Sequence, residues 1–110
     1  MSFIHETAAQ GGWSRLSLAE QMGNVGGEVT RAARQKGKDE KLFGEAVRRA
    51  LDLFDLTLGD SRWEGRRWEI ARAREVFCDA VYGGALYGSS LQGLIPYFDR
   101  FAFAARNTPA

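Results

Sequence analysis

The sequence predicts an all-α protein, a compact four-helix up-down bundle whose fourth helix is interrupted near Pro96. Three observations favour this class. Apolar residues repeat at steps of three and four in four segments, glycines or capping residues separate these segments, and none shows the alternation of a strand. The 110 residues suffice for one domain with a core. We expect a flexible N-terminal arm over 1–12, a helical domain over 13–106 and a frayed tail over 107–110.

The first helix is predicted over roughly 14–36, because Ser17 and Glu20 have the spacing of a capping box that precedes an apolar stripe. Gly37 supplies the left-handed residue that ends many helices. The stripe consists of Leu18, Met22, Val25, Val29 and Ala32. Asp39 is the predicted cap of the second helix, which is apolar over more than half of its circumference and must be covered on two sides.

Gly59 ends the second helix, and Asp60 or Ser61 begins the third. The inner stripe of the third helix is Ile70, Ala73, Phe77, Ala80 and Val81. Ser89 or Ser90 begins the fourth helix. Because proline lacks a backbone donor and costs about 3 kcal/mol inside a helix, we expect a short turn before residue 95 and a regular helix after it.

Composition excludes several classes of protein. No apolar run approaches the roughly 18 to 20 residues of a membrane span, and 1–12 lacks the basic start and apolar stretch of a signal peptide. The single cysteine, Cys78, fits a reducing compartment and is expected to be a buried thiol on a helix. We therefore expect a cytoplasmic protein without membrane partners. The net charge of +1 does not by itself predict nucleic-acid binding.

The residues needed for common enzyme chemistry are scarce. The single histidine, His5, lies in the predicted arm, and one histidine with one cysteine is too few for an ordinary zinc or di-iron site. The helical nucleotide pyrophosphohydrolases use Glu-x-x-Glu and Glu-x-x-Asp pairs, and neither spacing occurs here. No phosphate-binding glycine loop follows a strand. We identify no catalytic residue, metal or cofactor and favour a function other than catalysis.

Glycines inside the first helix require an explanation, because each costs roughly 0.5 to 1 kcal/mol relative to alanine. Gly26 forms a stripe of small residues with Ala19 and Ala33, beside the apolar stripe. The simplest interpretation is close contact with a neighbouring helix. The alternative is a pocket wall or a dimer face at the same position.

Arginines on the third helix are the most informative polar residues. Arg67 and Arg74 lie one heptad apart on the flank of the apolar stripe, where charges are rare without a partner. The aliphatic parts of these side chains can lie along apolar surface while the guanidiniums reach solvent or a carboxylate. The functional interpretation is a basic and aromatic patch that binds phosphates or another anion. The candidate binding residues are Arg62, Trp63, Arg66, Arg67, Arg74 and Trp68.

Trp68 is predicted to project on the polar side of the third helix, among Arg72, Glu75 and Asp79. A large indole has no core to fill at such a position. An exposed Trp is a common anchor of a protein interface, although a segment folded over it has the same sequence pattern.

Six strings in this chain resemble an uncharacterised family of small bacterial all-helical proteins. The strings lie at 17–21 (SLAEQ), 27–29 (GEV), 50–57 (ALDLFDLT), 65–67 (GRR), 74–79 (REVFCD) and 87–89 (YGS). The resemblance spans most of the chain and implies a helical fold. It implies no activity, ligand or catalytic residue.

Two functions follow as hypotheses. The first is a helical protein–protein interaction module that self-associates as a homo-oligomer, through exposed aromatic side chains and the small-residue stripe. The alternative is a nucleic-acid-binding accessory protein that uses the cluster from Arg62 to Arg74. Salt dependence distinguishes them, because phosphate contacts weaken steeply as salt rises whereas apolar association does not.

Overall fold

The computed structural model describes residues 12–107, which form an all-α four-helix bundle with no strand in that range. The helices are α1 (Leu18–Gln35), α2 (Glu40–Leu58), α3 (Arg67–Val81) and α4 (Leu91–Asn107). Short 3-10 helices, Trp13–Arg15 and Ser61–Arg66, precede α1 and α3. The predicted fold class is confirmed. The predicted arm and tail lie outside the described residues, apart from Gly12 and Asn107.

Local capping interactions fix the start of α1. The Ser17 hydroxyl accepts a hydrogen bond from the Glu20 amide at 3.1 Å, and the Glu20 carboxylate accepts one from the Ser17 amide at 2.9 Å. This is the predicted capping box, and it places the first residue of the helix at Leu18 rather than near 14. The preceding residues form a separate 3-10 turn that buries Trp13. The apolar stripe of α1 is buried as expected.

The start of α2 and the turn before it also follow the prediction. The Asp39 carboxylate accepts the Leu42 amide at 3.0 Å, and Gly37 has a φ of 78°, in the left-handed region that glycine adopts without strain. Phe54 of α2 is fully buried at the centre of the bundle. Its ring lies 6.0 Å from that of Phe77 on α3 and 6.1 Å from that of Phe98 on α4.

The third helical segment begins where it was predicted to begin, but its first turns are 3-10 rather than α. The Asp60 carboxylate accepts the Arg62 amide and caps the 3-10 helix. Trp63 then takes non-helical backbone angles, and the α-helix starts at Arg67. The inner face of α3 buries Ile70 and Phe77.

The predicted interruption of the fourth helix is wrong, because α4 runs from Leu91 through Pro96 to its end. The Ser90 hydroxyl accepts the Gly93 amide at 2.9 Å, as the predicted cap would. Proline deprives the carbonyl of Gln92 of its donor. Gln92 is exposed and lies in the first turn, so water can bond this carbonyl and the helix continues.

The bundle is packed unevenly around α1. This helix packs extensively against both α2 and α4, whereas α3 packs against α2 and touches α4 only lightly. A Cβ atom added to Gly26 would lie 2.5 Å from Cβ of Phe98, and one added to Gly23 would lie 3.3 Å from Cα of Ala102. The glycines of α1 therefore allow close approach of α4. The weak contact between α3 and α4 leaves a groove between those two helices.

Within residues 12–107, no helix combines the length and the apolar character that crossing a membrane requires.

Candidate functional site

A hydrogen-bonded network joins the end of α2 to the start of α1, and we name this network the junction. The Gln21 amide nitrogen donates to the Trp13 carbonyl at 2.8 Å and to the Asp60 carboxylate at 3.1 Å. The Gln21 oxygen accepts from the Trp63 indole at 2.9 Å. The Trp13 indole donates to the Thr57 hydroxyl at 3.1 Å. Gln21 and Thr57 are fully buried, and their hydrogen bonds compensate for the loss of water.

Two of the predicted binding residues, Arg62 and Trp63, belong to this junction. The Arg62 guanidinium pairs with Asp60 at 2.7 Å and donates to the Leu16 carbonyl at 2.8 Å. It also lies 4.4 Å from the centroid of the Trp63 ring. Hydrogen bonds from Arg62 hold the pKa of Asp60 well below its usual range. Both residues therefore stabilise the junction, and the face of Trp63 beneath Arg62 is covered.

Arg66 and Arg67 also have partners within the chain. Arg66 pairs with Glu69, one turn along α3, at 2.8 Å. The Arg67 Nε donates to the Leu58 carbonyl at 3.1 Å, at the end of α2. A cation at the C-terminus of a helix compensates for the helix dipole, so Arg67 supports the turn between the two helices.

Arg74 connects α3 to α2. Its Nε donates to the Asp55 carboxylate at 3.0 Å, and its Nη1 lies 3.9 Å from Sγ of Cys78. Cys78 is a free thiol on the helix, as predicted, but it is half-buried rather than buried. The guanidinium therefore reaches a carboxylate, as the structural interpretation of Arg74 predicts. The structure places the basic patch along α3 and the turn before it, with each arginine engaged by its own chain.

Trp68 projects into solvent, as predicted, with 82% of its surface exposed. It stands at the edge of the groove between α3 and α4, which has a volume of about 420 Å³. The polar residues at this groove are Glu69 and Arg72. Its apolar walls are Ala73 and Val76 on α3 and Leu94, Tyr97 and Phe98 on α4.

Aromatic packing fixes the α4 wall of the groove. The Tyr97 ring contacts Phe98 and Phe101 edge to face, with centroids 5.1 and 5.4 Å away. Its hydroxyl lies 3.4 Å from Glu69, towards which it donates. Burial, together with the nearby Glu69 carboxylate, raises the pKa of Tyr97 to about 12. Like an ordinary tyrosine, Tyr97 is neutral at physiological pH, and its ring lines the groove.

The connection between α3 and α4 folds back over the outer face of α3. The Asp79 carboxylate accepts the amides of Leu86 and Tyr87 at 3.0 and 2.9 Å. The Tyr87 hydroxyl donates to Glu75 at 2.9 Å, and this hydrogen bond raises the pKa of Tyr87. The Arg72 guanidinium lies 4.7 Å from the centroid of the Tyr87 ring. These contacts place an aromatic side chain over three charged residues.

We give the name α3 face to the exposed side of α3 together with the α3–α4 connection and the groove. It consists of Trp68, Tyr82, Leu86, Tyr87 and the groove residues named above. Tyr82 and Leu86 are 88% and 82% exposed. Groups of exposed large apolar side chains are typical of interaction sites.

Sequence reasoning identified Trp68 in this surface and missed the other apolar members. A signal was present for the loop, because Tyr82, Leu86 and Tyr87 are large side chains among glycines, in a connection that would ordinarily be polar. The groove had no local signal, since it depends on how far α3 stands from α4.

Within the described range, no group of three or more His, Cys, Asp or Glu side chains is placed to hold a metal ion. Comparisons of this chain with protein-family models, curated proteins and solved structures found no match.

Proposed function

We propose that this chain is a helical protein-interaction module that self-associates through the α3 face. The observation that carries this proposal is an open apolar groove with an exposed tryptophan at its edge. Trp, Tyr and Arg are the side chains most enriched at the energetic centres of protein interfaces. Trp68, Tyr87 and Arg72 supply all three on this surface.

The α3 face is held in a defined shape before any partner binds. Asp79 fixes the backbone at Leu86 and Tyr87, and Glu75 fixes the Tyr87 hydroxyl. Ordering a side chain on binding costs about 0.5 to 1.5 kcal/mol, and a side chain that is already ordered avoids part of this cost. The hydrogen bonds under the loop thus favour association.

The small-residue stripe of α1 is not part of the proposed contact surface. Its central member, Gly26, lies against Phe98 of α4 in the same chain. Self-association therefore depends on the exposed aromatic side chains, and the glycines serve packing within the bundle.

Nucleic-acid binding through the arginine cluster is the alternative. Phosphate contacts there would have to replace existing partners, namely Asp60 for Arg62, Glu69 for Arg66 and Asp55 for Arg74. The Trp63 ring already carries the Arg62 guanidinium on one face, which limits stacking with a base. These contacts make the cluster the weaker candidate.

Sedimentation velocity at micromolar concentration, in low and high salt, tests the proposal. We expect a dimer or larger species that persists in high salt, because burial of apolar surface is not screened as charge pairing is. Trp68→Glu should shift the protein towards monomer with an unchanged circular dichroism spectrum. Leu42→Glu is the matched control, since Leu42 is an exposed apolar residue on α2, and this variant should associate as the wild type does. A monomeric wild type at every concentration would contradict the proposal.

A further inference from the structure

On the α3 face, the exposed side chain of Trp68 lies next to the groove. Trp68 stands 82% exposed at the edge of a groove of about 420 Å³, whose walls are apolar. A closed dimer with two-fold symmetry uses the same surface on both copies, so that surface must be complementary to itself. An exposed Trp68 beside the groove meets this requirement, because the indole of each copy can fill the groove of the other.

We infer that two copies pair through antiparallel α3 helices, each inserting Trp68 into the groove of the other. This inference rests on the proposed self-association and names its partner and its register. With the two-fold axis at the level of residues 70 and 71, Trp68 lies at the level of Ala73 of the second copy. Ala73 and Val76 form the α3 wall of the groove, so this register brings the indole to the groove of the second copy.

The same register pairs opposite charges. Glu69 of one copy faces Arg72 of the other, and the symmetry axis creates this pair twice. Both side chains lie at the groove. The whole chain has a net charge of +1, so two copies approach without strong overall repulsion. Complementary charges at an interface fix its register and disfavour the wrong one.

The size of the surface fits a modest affinity. An aromatic side chain buries about 150 to 250 Å² when it is fully covered. An interface made of two inserted indoles and the groove walls around them has a small area. Specific interfaces of standard size bury about 800 Å² per partner. We therefore expect a dimer that dissociates in the micromolar range.

Charge reversal with mixing of two variants tests the register. In Glu69→Arg the facing residues are both arginines, and in Arg72→Glu they are both glutamates. Each variant alone should dissociate about tenfold more readily than the wild type, from two exposed pairs changed from attraction to repulsion. An equimolar mixture places arginine opposite glutamate at both positions, so it should recover the wild-type affinity. Circular dichroism of each variant controls for folding.

Mixing separates this inference from the other roles of Glu69. Within its own chain Glu69 pairs with Arg66 and contacts Tyr97, and a second copy cannot restore those contacts. Trp68→Ser should weaken the dimer at least tenfold, as loss of a buried interface tryptophan does.

The outcomes distinguish the two proposals. If the wild type dimerises but the mixture does not recover affinity, or Trp68→Ser has no effect, the antiparallel register is wrong and self-association stands. If the wild type is a monomer, both proposals fail. The groove would then be free for a different protein or for residues 1–11 of the same chain.

Discussion

Gly26→Ala tests the packing between α1 and α4 most sharply. Replacing glycine by alanine inside an exposed helix ordinarily stabilises a protein by about 0.5 to 1 kcal/mol. At Gly26 the new Cβ would lie 2.5 Å from Cβ of Phe98. This atom is fixed to the backbone of α4, so the helix itself must move, and overpacking of this kind costs about 1 to 3 kcal/mol. We expect net destabilisation of roughly 1 to 2 kcal/mol in urea denaturation.

The neighbouring glycine supplies the control. A Cβ added to Gly27 meets nothing within 4 Å, and the residue is exposed. Gly27→Ala should therefore stabilise the protein by about 0.5 to 1 kcal/mol, through helix propensity alone. If Gly26→Ala were as stable as Gly27→Ala, α4 would not approach α1 as closely as described, and the packing argument would be refuted.

Two further substitutions test the core and the junction. Phe54→Ala removes the ring that contacts both Phe77 and Phe98. We expect urea denaturation to show a loss of about 3 to 5 kcal/mol in the free energy of unfolding. A loss under about 1 kcal/mol would place Phe54 outside the core. Asp60→Asn should destabilise the protein by about 1 kcal/mol at neutral pH. Because the folded protein lowers the pKa of Asp60 below the ordinary value of about 3.9, the charge stabilises above that pH and its contribution declines as the pH falls below it. Melting temperatures of the variant and the wild type should thus converge below about pH 4; a gap that widened there would contradict the assignment.

The helix ends were predictable because their determinants are local. The capping box of Ser17 and Glu20, the Asp39 cap and the left-handed Gly37 each depend on a few neighbouring residues, and each is present. Proline propensity is local too, yet Pro96 lies within a continuous α4. Its cost was overestimated because the affected carbonyl lies in the exposed first turn.

Tertiary contacts were harder to anticipate from the sequence. The helical period placed Trp68 on the outer side of α3, and it is exposed there. The period also placed Arg67 and Arg74 on the flank of the core, without identifying the Leu58 carbonyl and the Asp55 carboxylate as their partners. Such partners belong to another helix, so they depend on how the helices pack.

The groove shows the same limit. Leu94 and Phe98 lie four residues apart on one side of α4, and Phe98 is buried. Both also line the groove, because α3 stands away from α4 at this level. α4 instead lies close to α1 at Gly26, and the period of a single helix does not reveal which neighbour it packs against.

We propose that the α3 face is the contact surface between copies of this chain. Its most direct test is the concentration dependence of backbone amide chemical shifts in the wild-type protein, followed by NMR from low to high micromolar concentration. We expect the changes to concentrate in residues 66–76, 82–87 and 94–98, with the exposed side of α2 unaffected. Changes confined to α1 and α2, or spectra that do not change with concentration, would contradict it.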